Sequence, residues 1–392
     1  LCDEFGARVN DLWYWTWGRV PQAMLGIRMS TMKYPELHRL VAQGNIDRVA
    51  QLLAAGHVDI DAVDASGKTA LMYAAQDRNT DASIVELLLQ HGAKLELELR
   101  GDYDGQRTAA FFAVAGGDPR KVAALVDAGA LIRHCGADGH SALLTAVHHR
   151  DVARDPRLLE LLKLLISYRV PLNTVTRYQE SALRVLSRLG RFDAIQLLLD
   201  AGADSDQLQW TALHYAIALG DLTDVQRLLE EGNSCEERDW WERTPWLLAI
   251  LTGDVAKVRL LQDFGANTDA RGRCGATPLS FAVMNHKPQV LRWLIESGQD
   301  VQQTNNFGAT ALFDASEGDD VECAAILLSN GADIDHRNHI PQTALAETRS
   351  PAMTKLLLDA GADIRELSRE SRRGLLGLLP DPEPAALASI SA

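Results

Sequence analysis

The chain has 392 residues, 46% of them hydrophobic and 23% charged, and a formal net charge of −14. This is the composition of a folded chain, and the acidic balance argues against nucleic acid or an anionic membrane as partner, since both need clustered Lys and Arg. The five cysteines, Cys2, Cys135, Cys235, Cys274 and Cys323, are odd in number and never form a C-x-x-C pair, which points to a reducing, cytoplasmic setting; no apolar run is long enough to span a membrane.

The first element, "DLWYWTWGRVPQAM" from Asp11, places Trp13, Trp15 and Trp17 on one side of an extended strand. Residues 1–33 are therefore expected to form an aromatic cover over the open end of a repeat array. Partner or membrane docking, and a leader upstream of Met24 to Met32, remain open alternatives. Next comes "ELHRLVAQGNIDRVAQLLAAG" from Glu36, an atypical helix pair expected to cap that array.

From there a repeat runs down the chain. It is anchored at Thr69, Thr108, Ser141, Ser181, Thr211, Thr244, Thr277, Thr310 and Thr343, and the last five anchors are 33 residues apart. Each anchor is a good helix N-cap, and Pro245 and Pro278 come directly after it at a position where a missing N–H costs nothing. Five residues on, a small residue (Ala74, Ala113, Ala146, Ala216, Ala249, Ala282, Ala315) lets two helices approach closely. A second apolar run such as Val225, Leu228 and Leu229 has helical spacing. It closes at Gly232, Gly265, Gly298, Gly331 or Gly361, as suits a left-handed turn. Residues 131–175 are irregular: "HHRDVARDPRLLELLKLLISYRV" is longer than its counterparts and ends without glycine. After residue 365, a leucine-rich capping helix and a Pro/Ala/Ser tail are expected over residues 366–392. The reading is about ten helix pairs within residues 34–365.

These residues resemble the ankyrin-repeat family, whose unit opens on T-P-L-H-x-A, closes on L-L-x-x-G-A-D and carries a β-turn finger between helix pairs. The resemblance implies an all-α solenoid of stacked helix pairs, curved, with a concave face. His214 fills the histidine position of the motif, which the family uses to brace the finger. The resemblance also implies that positions four, three and one before each anchor, and four after it, face the concave side. In those columns the units anchored at residues 181 to 310 are apolar and aromatic. They place Tyr178, Leu208, Trp210, Tyr215, Trp240, Trp241, Arg243, Leu248, Phe281 and Phe307 on one candidate partner-binding face, and Trp, Tyr and Arg are favoured at interface hot spots. The competing reading packs several of these between units, Tyr215, Leu248 and Phe281 above all. Trp246 replaces the motif leucine and belongs to the core.

The expected function is non-catalytic binding of a protein partner, and Glu230, Glu231, Glu236, Glu237 and Asp239 beside the face suit a basic one. Two alternatives stand beside it: a bacterial immunity protein that neutralises a cognate secreted toxin, and a metal-binding or catalytic role near His134, Cys135, His140, His148 and His149. No Walker loop, nucleophile elbow or H-E-x-x-H motif is present, so no catalytic residue, metal ligand or cofactor is assigned. A monomer is the simplest expectation.

Overall fold

The computed structural model describes residues 35–99, 108–135, 139–148, 152–348 and 350–363. The aromatic N-terminal segment and the C-terminal cap and tail lie outside these residues. The chain divides into two compact units, one within residues 10–208 and the other from Gln209 onward.

The N-terminal unit holds five helix pairs: α1 (Glu36–Ala42) with α2 (Ile46–Ala54), α3 (Ala70–Gln76) with α4 (Ala82–Gln90), α5 (Ala109–Gly116) with α6 (Pro119–Asp127), α7 (Ala142–Val147) with α8 (Leu158–Ser167), and α9 (Ala182–Arg188) with α10 (Phe192–Asp200). A 3-10 turn, Ser205–Leu208, ends it. The C-terminal unit pairs α11 (Ala212–Leu219) with α12 (Leu222–Glu230), α13 (Pro245–Thr252) with α14 (Val255–Asp263), α15 (Pro278–Met284) with α16 (Pro288–Glu296), and α17 (Ala311–Glu317) with α18 (Val321–Ser329). In its last pair, a 3-10 turn (Ala344–Glu347) precedes α19 (Pro351–Asp359). In each unit the first helix of a pair packs on the first helices of its neighbours, and the second helices do the same, giving an inner and an outer row.

The two rows differ because their sequences do. The inner helices are apolar almost all round: α13 buries Pro245, Trp246, Leu247, Leu248, Ala249, Ile250 and Leu251. The outer helices are amphipathic, and α12 buries only Val225, Leu228 and Leu229. Every expected small residue at the fifth position after an anchor is buried, from Ala74 to Ala315. Trp246 is 1% exposed and lies 6.1 Å from the Trp293 ring, a core residue as expected.

Six anchor hydroxyls cap as expected, those of Thr69, Ser141, Ser181, Thr211, Thr244 and Thr277, each accepting the N–H three residues on. Thr108, Thr310 and Thr343 make no cap bond. Seven outer helices are capped, by Asn45, Asp81, Asp118, Asp221, Asp254, Asp320 and Ser350, while those starting after Arg157, Arg191 and Lys287 are not.

The free carbonyls at inner-helix C-termini are met from the next pair. Lys121 donates to Ala74 O (2.7 Å) and Asp77 O (2.5 Å). Lys257 repeats the device on Ile217 O and Gly220 O, both at 2.7 Å. Burial lowers both ammonium groups from the usual lysine range, against the pull of nearby aspartates.

The irregular region has a structural use. Its 3-10 turn, Val152–Arg154, leads to Asp155, whose buried carboxylate takes Arg78 Nη2 at 2.6 Å, while Arg78 Nε donates to Gly116 O. Arg157 faces Asp118 at 3.7 Å, and Arg191 Nη1 donates to Val152 O at 3.0 Å. The insertion thus clasps the pairs α3/α4, α5/α6 and α9/α10. Arg169, at φ 56°, takes the left-handed position that glycine holds in other units and bears a cost of about 1 kcal/mol for it.

Asp155→Ala removes the buried carboxylate that holds Arg78 and Arg157 and is expected to destabilise the protein by about 1–3 kcal/mol, seen as a lower urea midpoint; an unchanged midpoint would show that this carboxylate does not stabilise the clasp. A second contact of the same unit is sensitive to pH. Burial alone would raise the Glu180 carboxyl, but hydrogen bonding by His148 and the charge of Arg188 outweigh it and hold the group at about 2. Because the folded value lies below the unfolded one, the stabilisation is complete above the ordinary glutamate range and disappears as the pH falls to about 2. The stability gap between the wild type and Glu180→Gln should therefore be widest near neutrality and close on acidification, and a gap that stays constant would contradict this pairing.

Candidate protein-binding surface

Between consecutive pairs the chain makes a two-sided finger whose shape is set by one residue. Five positions before the anchor, a side-chain oxygen accepts the backbone N–H groups two and four residues on. Asp64 does so for Ser66 and Lys68, Thr176 for Tyr178 and Glu180, Asp239 for Trp241 and Arg243, Asn305 for Phe307 and Ala309, and Asn338 for Ile340 and Gln342. Two positions before the anchor the backbone turns left-handed, as at Gln179 (φ 62°), Glu242 (φ 62°) and Gly308 (φ 71°). Isolated bridges Val63 to Thr69, Cys135 to Ser141 and Thr304 to Thr310 close the base.

In the C-terminal unit the fingers are stitched together. Arg238 Nη1 donates to Arg271 O (2.9 Å), and Arg271 Nη1 to Thr304 O (2.6 Å). The Asn306 N–H donates to Cys274 O (3.0 Å), and the His339 N–H to Phe307 O (2.9 Å).

One finger is built around a buried ion pair. Asp239 and Arg243 have fully buried side chains; Arg243 Nε and Nη2 donate to Asp239 Oδ2 at 2.8 and 2.5 Å, and Trp210 Nε1 reaches the same oxygen at 3.4 Å. His214 bridges the finger to the helix before it, with Nδ1 2.8 Å from Thr211 Oγ1 and Nε2 3.3 Å from Arg243 O. Burial lowers the His214 imidazole from its usual range, opposed by the charge of Asp239. In the cap pair His38 does the same job on Lys68 O at 2.9 Å; "PELH" was its signal in the sequence, hidden because the anchor threonine is missing there.

Upon this base stand Trp240 and Trp241, half-buried, with ring centroids 4.9 Å apart and the Arg273 guanidinium 4.6 Å from the Trp241 ring. The stack Trp240, Trp241, Arg273 therefore bridges two fingers, with a cation–π contact at one end. Phe307 is half-buried at the tip of the next finger.

The other residues expected on the face divide by burial. In the N-terminal unit, Tyr178 is 68% exposed at a finger tip with Arg177 over its ring at 4.9 Å. Leu208 is fully buried in the 3-10 turn. In the C-terminal unit Trp210 is buried edge-on to half-buried Tyr215, ring centroids 5.2 Å apart. Leu248 is fully buried, and Phe281 nearly so, its ring lying where a Cβ on Gly272 would stand. Gly272 occupies the fifth position before its anchor, so this finger gives up the bracing side chain to admit Phe281. Leu208, Trp210, Arg243, Leu248 and Phe281 are thus corrected from surface to interior: the first three are consumed by the fingers, Leu248 by helix packing and Phe281 by the space that Gly272 leaves.

The histidine-rich stretch of the N-terminal unit is drawn into packing. His134 lies against Phe111 at 5.0 Å, His140 against His148 at 5.9 Å, and His148 Nε2 is 3.4 Å from Glu180. Among the described residues no three His, Cys, Asp or Glu side chains are placed to hold a metal ion, and no helix is long and apolar enough to cross a membrane.

A family model described as ankyrin repeats (3 copies) matches residues 37–134, 151–239, 213–305 and 246–338. With helix pairs, capped anchors and fingers in the same register, the chain belongs to the ankyrin-repeat family. No curated protein matches it.

Arg243→Ala leaves Asp239 without its counter-charge. It is expected to cost about 3–5 kcal/mol, measured by chemical unfolding followed through tryptophan fluorescence. A loss near zero would return Arg243 to the surface.

Proposed function

We propose that this protein is a non-catalytic binding array whose protein partner docks on the finger row of the C-terminal unit, centred on Trp240 and Trp241. The supporting observation is the stack Trp240, Trp241, Arg273 resting on the buried Asp239–Arg243 pair. Its side chains already stack on one another, so a partner that covers them has fewer rotamers to freeze. Tryptophan and arginine are the residue types that most often dominate binding energy when desolvated at an interface centre. Tyr215 and Phe307 extend the apolar surface on the same unit, and Tyr178 offers an exposed aromatic on the N-terminal unit. The partner is a protein rather than nucleic acid in this reading because of the net charge of −14. A cytoplasmic setting follows from the cysteine pattern.

The test compares proteins retained from source-cell extract by the wild type and by Trp240→Ala/Trp241→Ala. A specific partner held by the wild type should be lost by the double variant, by roughly 30-fold or more in affinity, with the thermal melt nearly unchanged. Equal retention of that partner by both proteins would place its contact elsewhere.

A further inference from the structure

The inner-helix row of the C-terminal unit changes character along the stack. Four positions after the anchor it reads Tyr215, Leu248 and Phe281, then Asp314 and Glu347. Seven positions after the anchor, Met284 of α15 is 50% exposed, and its counterpart on the adjacent α17 is Glu317. An apolar stretch thus passes into an acidic one between two helices that pack side by side. Residues 301–363 as a whole carry ten Asp and Glu against three Lys and Arg.

Asp314 is the least comfortable of these acids. Its Oδ2 is shielded from solvent and accepts no hydrogen bond, and no described Lys, Arg or His forms an ion pair with it. Burial pushes its carboxyl up to about 7; hydrogen bonding by Ser280 works against the shift, and the charge of Glu317 one turn on adds to it. A carboxylate in such a place destabilises the folded chain unless a cation joins it. The remaining acids on this row make the face attractive to a cation arriving from outside.

We propose that this stretch of the inner row takes a Lys or Arg side chain of the partner polypeptide, its aliphatic stem over Met284 and its charged end against Asp314 and Glu317. The assignment rests on the protein-binding reading above and adds the partner's chemistry. The long stem and charged head of Lys and Arg match an exposed methionine next to two carboxylates, whereas an acidic or wholly apolar side chain would leave Asp314 uncompensated.

The test pans the intact chain against a phage-displayed library of short random peptides, beside Asp314→Asn, Glu317→Gln and Trp240→Ala/Trp241→Ala, each checked by thermal melt. The wild type should select peptides enriched in Lys or Arg. A synthetic peptide from that pool should bind Asp314→Asn about tenfold or more weakly, with a smaller loss in Glu317→Gln. Cationic peptides that need Asp314 but bind the tryptophan variant normally would support this subsite and count against the finger stack as the docking centre. Peptides that need Trp240 and Trp241 but show no cationic preference would overturn the subsite and leave the finger reading standing. A selected peptide that binds Asp314→Asn as well as the wild type, or a selection that returns no binders, would also overturn it.

Discussion

An inner helix such as Pro245–Thr252 has almost no polar side, and its seven buried side chains can leave water only if helices before, behind and beside it cover them. No single pair in this chain could bury its own apolar surface. Everything else in the structure serves that mutual cover. The alanines five residues after each anchor bring the inner helices close, the lysines at residues 121 and 257 meet the carbonyl ends of the preceding inner helices, and the amphipathic outer helices close the other side. Stability in such an array is approximately a sum of units and their interfaces, so a contact that reaches beyond the neighbouring pair has unusual leverage. The Asp155 clasp, in contact with three pairs, is of that kind.

The fingers solve a different problem. They stand out from the helices with few apolar contacts of their own, so they are held by hydrogen bonds: a braced turn inside five of the fingers and, in the C-terminal unit, arginine links between fingers. Where the brace is an aspartate, it can also take a counter-charge, and at Asp239 that counter-charge is Arg243 from the same finger. A fully buried ion pair is a poor source of stability compared with apolar packing, but it fixes geometry. Here the fixed element carries two tryptophans at its tip.

The period, the caps and the alanine column were legible in the sequence because they repeat the same residue type in the same place. The brace five positions before the anchor was not, since Asp, Thr and Asn serve equally well and no identity recurs. The clasp was hidden because its partners lie far apart in the chain, 77 residues for Arg78 and Asp155. The candidate face was legible only in part. A column treats each position as equivalent, yet three before the anchor it contains Tyr178, exposed on a normal finger, and Leu208, buried because its segment coils into a 3-10 turn. Arg243 looked like a surface arginine until the buried Asp239 beside it was in view.

Departures from the repeat therefore carry more information about this protein than the repeat itself does. Gly272 abandons the brace, and Phe281 occupies the space released. Asp314 stands where the three preceding units hold Tyr215, Leu248 and Phe281, and it meets a cost that those residues do not. The first exchange is compensated within the fold, because the aromatic ring gains packing where the side chain was lost. The second is relieved only in part, by hydrogen bonding from Ser280 and by no ion pair among the described residues, and a cost so incompletely returned within the fold is the better guide to where another molecule binds.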